Sequence, residues 1–301
     1  MQLALKVDVD TLRGTREGVP ALLELFASYD VRATFLFSLG PDHTGRALKR
    51  IFRPGFLSKV GRTSVTSHYG FKTLLYGTLL PGPHIGRRTS SIMRAVAAAG
   101  HEVGIHCYDH VKWQDYVTKR GAAWTRRELL RAAEVFREIF GQAAKVHGAA
   151  GWQINAATLA LEEELGFSYA SDVRGTAPFY PRMEGITSAC LQIPTTLPTL
   201  DELIGTEGVT EKNVHQAVYE ASCHPLSHGH VYTLHAELEG MKLLPVMEAL
   251  LQRWQSDGRS IVALDDYYRQ LDPDKIPLCQ IEMKEIAGRS GNLAVQGSCQ
   301  Q

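Results

Sequence analysis

Seven short strand-like runs, separated by segments of helical spacing, constrain the fold of this 301-residue chain more than any other feature. They cover residues 3–9, 31–39, 102–106, 168–171, 190–193, 231–235 and 260–264. Between them, Thr125-Arg-Arg-Glu128 reads as a capping box. Leu129, Leu130, Ala133, Phe136, Ile139 and Phe140 then fill one helical face before Gly141 ends it. Asn155 is placed to cap a second helix that stops at Gly166, and residues 241–256 form a third, followed by Asp257-Gly258. Residues 16–29 read as a fourth, with Pro20 near its first turn. Strands alternating with helices predict an α/β fold with a mostly parallel sheet, open or closed into a barrel. No internal repeat or low-complexity linker interrupts the pattern, so one domain over residues 1–301 is the simplest organisation.

One stretch breaks the alternation. Residues 43–92 are longer than an ordinary connection and mix Phe, Tyr, Leu, Gly and Pro with Lys and Arg. From His43 to His101 there are ten Lys and Arg and no Asp or Glu, while the rest of the chain holds 22 basic against 32 acidic residues. A basic block in an otherwise acidic protein implies an anionic partner. Two readings fit the block: a basic surface excursion with a small core of its own, or an interfacial element that meets an anionic membrane surface. Nucleic acid is disfavoured, because no nucleic-acid motif accompanies the charge.

The five cysteines, Cys107, Cys190, Cys223, Cys279 and Cys299, are odd in number and form no C-x-x-C pair. That argues against a disulfide framework or zinc ribbon and fits a reducing compartment. The chain starts directly in a strand pattern, without the basic and apolar regions of an export signal, and no apolar run is long enough to span a bilayer. A cytoplasmic protein is expected.

The residues with chemistry gather where strands end. Asp8 and Asp10 close the first run; as i and i+2 they point to one side, and a divalent cation is the readiest compensation for their burial. His106 ends another run, and His110 shares its face if the chain turns helical after it. Strand C-termini of parallel α/β folds meet on one face, so two imidazoles and a carboxylate there make a three-ligand site with open positions, the arrangement of catalytic metals. Such a set accepts zinc, cobalt, manganese, iron or nickel. Asp109 reads as an exposed or supporting acid. His235, closing "VYTLH", is either a general acid or a strand-end histidine bonded to backbone. Asp172 and Arg174 in "SDVRG" read either as a partner for His235 and an anion-binding arginine, or as a surface ion pair. The histidines of "CHPLSHGH" lack metal-ligand spacing and read as a loop.

The Asp-x-Asp strand end, His-x-x-x-His and the late Leu-His strand resemble the NodB-type polysaccharide deacetylases. This resemblance implies a distorted (β/α) barrel that hydrolyses N-acyl amides of sugars with one divalent metal ion. It gives Asp8 the role of base, Asp10, His106 and His110 those of metal ligands, and His235 that of acid. "DVDTLRGTREGVP", "YGTLLPGPHIG", "HEVGIHCYDH", "AAGWQ", "SDVRGTAPF", "QIPTTLPTLDELIG", "YTLHAELEG" and "IAGRSGNLAVQG" carry the likeness from residue 8 to residue 297. They resemble the branch of that family that removes formyl from an amino-sugar carried on undecaprenyl phosphate. The implied site is peripheral, on the cytoplasmic face of the inner membrane, with Arg13, Arg16, Trp152, Asp172 and Arg174 at the substrate. The alternatives are an N-acetyl polysaccharide deacetylase and a non-catalytic binder of lipid-linked sugars. Two departures stand out. The family's Arg-x-Pro-Tyr arginine, which orients the base, has no counterpart in "HGAAGWQ", leaving Arg13, Arg16 or Arg174 to replace it. The aromatic of its Asp-x-x-x-Trp element is missing after Asp172.

Overall fold

The computed structural model of the protein describes residues 1–47 and 71–300. Among these residues the strands are β1 (Gln2–Val9), β2 (Thr34–Ser38), β3 (Glu102–Cys107), β4 (Val146–His147), β5 (Tyr169–Ala170), β6 (Tyr180–Met183), β7 (Ile186–Thr187), β8 (Leu191–Gln192), β9 (His230–His235), β10 (Ser260–Ala263), β11 (Leu278–Glu285) and β12 (Asn292–Gln300). Eight of them form a parallel sheet in the order β10-β1-β2-β3-β4-β5-β8, with β9 also paired to β1. Residues 2–5 of β1 pair with β10 and residues 6–9 with β2, which leaves its other edge to β9 over residues 3–8. Beyond β8, Thr196 and Leu197 donate backbone hydrogen bonds to Val231 of β9 and bring the sheet round into a distorted barrel.

A strand covered on both faces is mostly apolar, and in β1 Leu3, Ala4, Leu5, Val7 and Val9 are all buried, with Lys6 and Asp8 the buried charged exceptions. Helices Val19–Ser28, Ile85–Ala98, Ala122–Phe140 and Leu244–Ser256 cover the outside through Leu22, Phe26, Met93, Leu129, Phe136, Leu250 and Trp254, which share one core with the strands. A second sheet, β12-β11-β6-β7, closes one side over a smaller core that includes Trp113, Leu159, Phe179 and Ile281.

Several expectations are corrected by the structure. The helix expected to begin at Thr125 begins at Ala122, with Gly121 as its N-cap. Thr125 instead accepts a hydrogen bond from the Asn155 amide, and Glu128 binds Lys112 at 2.6 Å. Residues 85–92 of the basic stretch belong to the helix Ile85–Ala98, whose Ile85, Met93 and Val96 lie in the main core, so the excursion ends before it. Lys49, Arg50, Arg53, Lys59 and Arg62 lie outside the described residues. No disulfide framework was expected, but Cys279 and Cys299 sit opposite each other in the β11–β12 pair and are joined. Asn155 does cap its helix, with a capping box to Thr158. His224 and His228 of "CHPLSHGH" do lie in a loop, while His230 begins β9 and is held by the His224 carbonyl and Thr196.

Candidate active site and metal centre

Asp8 ends the pairing of β1 with β9 and faces His235 directly across that parallel register. Two residues further on, Asp10 leaves the strand, and its backbone turns into the loop that Glu237 holds. One Glu237 oxygen accepts from the Asp10 and Thr11 amides, at 3.0 and 2.8 Å, and from the Thr11 hydroxyl. A Cβ on Gly14 would meet that oxygen at 2.0 Å, so the loop closes this tightly only around glycine. Burial and the nearby Asp10 raise the Glu237 carboxyl well above its ordinary range.

From the adjoining part of the sheet, β3 delivers His106, and a helix starting at His110 delivers the second imidazole. Asp109 N-caps that helix through the Lys112 amide and also holds His43 at 2.6 Å; it is buried, not exposed as one reading had it. Asp10 Oδ1 lies 3.2 Å from His106 Nε2 and 3.4 Å from His110 Nε2, and the two rings are 5.3 Å apart. His106 Nδ1 is 2.6 Å from the Gly148 carbonyl, which leaves Nε2 aimed at Asp10. Against the effect of burial, His110 and His106 pull the Asp10 carboxyl well below its usual range, while Asp8 and Asp10 push the His106 imidazole up.

Oδ1 of Asp8 and Oδ1 of Asp10 are buried and accept no hydrogen bond. Asp10, His106 and His110 each offer one donor atom, all within 4.8 Å of one another. One carboxylate and two imidazoles, converging with the buried Asp10 Oδ1 free of hydrogen bonds and His110 reaching the surface, fit a divalent transition-metal ion.

The structure also answers the missing arginine. Lys6, fully buried, places Nζ 3.8 Å from Asp8 Oδ2 and donates to the Ser171 carbonyl at 2.8 Å. Burial lowers the Lys6 ammonium below its ordinary pKa despite the opposing pull of Asp8 and Asp172. A Cβ on Gly148 would stand 2.3 Å from Leu36 and 3.5 Å from Lys6 Nζ, so the "HGAAGWQ" segment approaches as bare backbone and the cation comes from β1 instead. In the sequence Lys6 looked like part of the apolar run; its i, i+2 relation to Asp8 was the available signal.

Arg13, Arg16 and Arg174 do not fill this position. Arg13 pairs with Glu17 at 2.9 Å and Arg16 is exposed, both on the turn that follows the Asp10 loop. Arg174 is 8% exposed and fully engaged: Glu202 at 2.5 Å, with the Thr195 and Leu197 carbonyls taking its other donors. Trp152, 2% exposed, packs between Lys6, Arg174 and Arg289 at 5.5, 5.1 and 4.8 Å. Asp172 does not hold His235. It accepts from the Ala149 amide and Gln192, and lies 3.1 Å from His147. All three residues are buried.

His235 has a different set of neighbours. Its amide donates to Glu239 at 2.9 Å, and its Nδ1 is buried without a hydrogen bond. Nearby Asp201 is clamped by Arg289 at 2.8 Å; Arg289 and His235 outweigh burial and hold the Asp201 carboxyl below its usual range. Glu237, Glu239, Asp201 and Arg289 were not read from the sequence as functional, although the two glutamates lie in the quoted "YTLHAELEG".

A parallel barrel with carboxylates and imidazoles at its strand ends, and an aspartate facing a histidine across two strands, defines a class: hydrolases that cleave amides on sugars. The chain belongs to the polysaccharide deacetylase family, whose pattern matches residues 3–170, and is an amide hydrolase. It is 38% identical over 300 residues to the probable 4-deoxy-4-formamido-L-arabinose-phosphoundecaprenol deformylase ArnD of Shewanella sediminis (strain HAW-EB3), covering 99% of this chain and 95% of that protein. The protein of the same name from Wigglesworthia glossinidia brevipalpis is 32% identical, over 94% of this chain and 98% of its own. Among solved structures, a polysaccharide deacetylase from Mycobacterium smegmatis, described as putative, shares the fold with a TM-score of 0.67 at 16% identity, over 95% and 94% of the two chains. The expected distorted (β/α) barrel is therefore the fold.

Proposed function

We propose that the protein removes the formyl group from 4-deoxy-4-formamido-L-arabinose joined through phosphate to undecaprenol, at the cytoplasmic face of the membrane. The end-to-end match to the deformylase of Shewanella sediminis is the observation that carries this reading, and the site geometry supports the chemistry. Asp10, His106 and His110 are the residues that would hold the divalent ion. When bound, that ion supplies Lewis acidity toward the amide carbonyl and the attacking water.

The chain's own groups handle the protons. Asp8, with one buried oxygen unpartnered and Lys6 facing the other, accepts the proton of the water as its oxygen adds to the formyl carbon. His235, across the strand register, gives a proton to the amide nitrogen as the C–N bond breaks. The products are formate and the free 4-amino sugar. In this reading Arg13 and Arg16, in the segment after Asp10, meet the sugar as it enters; the exposure of Arg16 supports this.

The test is purified protein supplied with zinc, cobalt or manganese and offered N-formylated and N-acetylated forms of the lipid-linked sugar. Formate release without acetate release is expected. Preferential acetate release would make the protein an N-acetyl deacetylase, and release of neither would leave a binder of lipid-linked sugars.

A further inference from the structure

Next to the site, a cleft of about 480 Å³ opens between the helix Phe71–Leu75, the turn that follows it and the first turn of Ile85–Ala98. Lys72, Tyr76, Pro83, His84, Arg87 and Arg88 are among the residues that line it. Lys72, Arg87 and Arg88 are exposed, and among the described residues no carboxylate forms an ion pair with any of them. The sequence between His43 and His101 holds no Asp or Glu at all. Three like charges converging on one concavity repel each other unless an anion sits among them. Leu80, 37% exposed, also lines the cleft, and its chain neighbour Leu79 is 81% exposed.

The cleft is wired to the metal-ligand loop. Pro41 forms a bridge with His84, the Asp42 amide donates to Pro83, and the Ile85 amide donates to Gly40. Gly40 in turn donates to the carbonyl of Tyr108 at 2.7 Å, and the His84 ring stands 6.0 Å from the Tyr108 ring. Tyr108 lies between His106 and His110 in the chain.

The geometry points to this cleft as the seat of the phosphate that joins the sugar to its isoprenoid carrier. Lys72, Arg87 and Arg88 hold the phosphate oxygens, and Leu79 and Leu80 meet the first isoprene units. The inference rests on the proposed substrate: a sugar with its amide at C4 and its phosphate at C1 presents the two groups at opposite ends of the ring. An anion site beside the metal-ligand loop then receives one end while the amide lies at Asp8 and His235. Guanidinium groups suit phosphate because they donate in pairs.

The experiment measures binding, not turnover, so that it stands apart from the deformylase reading. Full-length protein is titrated calorimetrically with farnesyl phosphate, with inorganic phosphate and with farnesol. Wild type is expected to bind farnesyl phosphate best, inorganic phosphate more weakly and farnesol weakest. The triple variant Lys72→Gln, Arg87→Gln, Arg88→Gln is expected to lose about ten-fold or more in affinity for both phosphates, the loss of charge-assisted hydrogen bonds. Far-UV circular dichroism confirms that the exposed substitutions leave it folded. Unchanged farnesyl phosphate affinity in the triple variant overturns the assignment. So does an unchanged affinity accompanied by lost sedimentation with phosphatidylglycerol vesicles, because the cleft then serves bilayer headgroups. If wild type releases no formate from the lipid-linked sugar yet the triple variant loses farnesyl phosphate, the deformylase reading fails while the phosphate site stands.

Discussion

Two clusters of histidine and carboxylate occupy the same barrel, and they are built from the same parts to opposite ends. In the first, Asp10, His106 and His110 bring three donor atoms together, and the buried Oδ1 of Asp10 accepts no hydrogen bond. In the second, His147, Glu162 and Asp172 are all fully buried, and His147 Nδ1 lies 2.6 Å from Glu162 and 3.1 Å from Asp172. There the carboxylates are satisfied from several sides: Asp172 also accepts from Ala149 and Gln192. The closed cluster fixes the backbone at 147–149 and 171–172, and those segments supply the carbonyls of Gly148 and Ser171 that orient His106 and Lys6. One cluster leaves a carboxylate oxygen unmet and reaches solvent through His110; the other engages its carboxylates in the scaffold and leaves only the buried Nε2 of His147 without a partner. Residue type alone does not separate ligand from strut; the supply of competing donors does.

The largest effect that distinguishes them is loss of metal. His106→Ala, or Asp10→Asn, is expected to abolish bound metal and formate release together, because two ligands make an inadequate site. His147→Gln is expected to keep the metal. Elemental analysis of the purified variants checks this, and full metal occupancy in His106→Ala would remove the open cluster from the metal site.

Next in size is the separation of base from ligand within the open cluster. Asp8→Asn and His235→Ala are expected to retain metal while turnover falls by about 10²–10⁴-fold, the range for a lost general base or acid. Metal content measured beside the formate-release rate decides it. Equal metal loss in Asp8→Asn and Asp10→Asn would make both carboxylates ligands, and the base would lie elsewhere.

These residues were legible in the sequence because strand ends and i, i+2 or i, i+4 spacing are local patterns: Asp8, Asp10, His106, His110 and His235 needed only to be placed at strand ends. The surroundings of Trp152, Asp172 and Arg174 were not legible, because they depend on long-range partners, Arg289 and Gln192 among them, that no local pattern announces. Strand β4 escaped because Val146 and His147 lie between Lys145 and Gly148, without an apolar run around them. The second sheet escaped because β11 and β12, with their shallow burial, lack a continuous apolar run. Lys6 escaped because a lysine within a buried strand contradicts the usual exposure of its type; Asp8 and the Ser171 carbonyl compensate its charge there.

The closed cluster makes a pH-dependent prediction of its own. Burial opposes a charge on His147, but Asp172 and Glu162 prevail and hold its proton to about 10, above the ordinary 6.5. A raised folded-state value means that this contribution to stability is complete below pH 6.5 and disappears as pH rises through 10. The gap in urea midpoint between wild type and His147→Gln is therefore expected to be wide at pH 6.5 and to narrow steadily toward pH 10. A gap independent of pH would mean that His147 is a neutral packing residue. Metal content should stay level across the same variant, which keeps the two clusters distinct.

The smallest effect concerns two arginines that looked alike in the sequence. Arg174 is buried with its donors spent on Glu202, Thr195 and Leu197, so Arg174→Gln is expected to cost stability, about 3 kcal/mol for breaking a buried pair, with KM unmoved in the folded fraction. Arg16 stands exposed on the turn after the Asp10 loop. Arg16→Ala is expected to leave the unfolding midpoint within about 0.5 kcal/mol of wild type and to raise KM for the lipid-linked sugar only a few-fold, since a solvated contact contributes little. Midpoints and Michaelis constants measured on both variants sharpen the contrast between strut and contact. A rise in KM confined to Arg174→Gln would reverse it, and would require Glu202 to release the guanidinium when substrate binds.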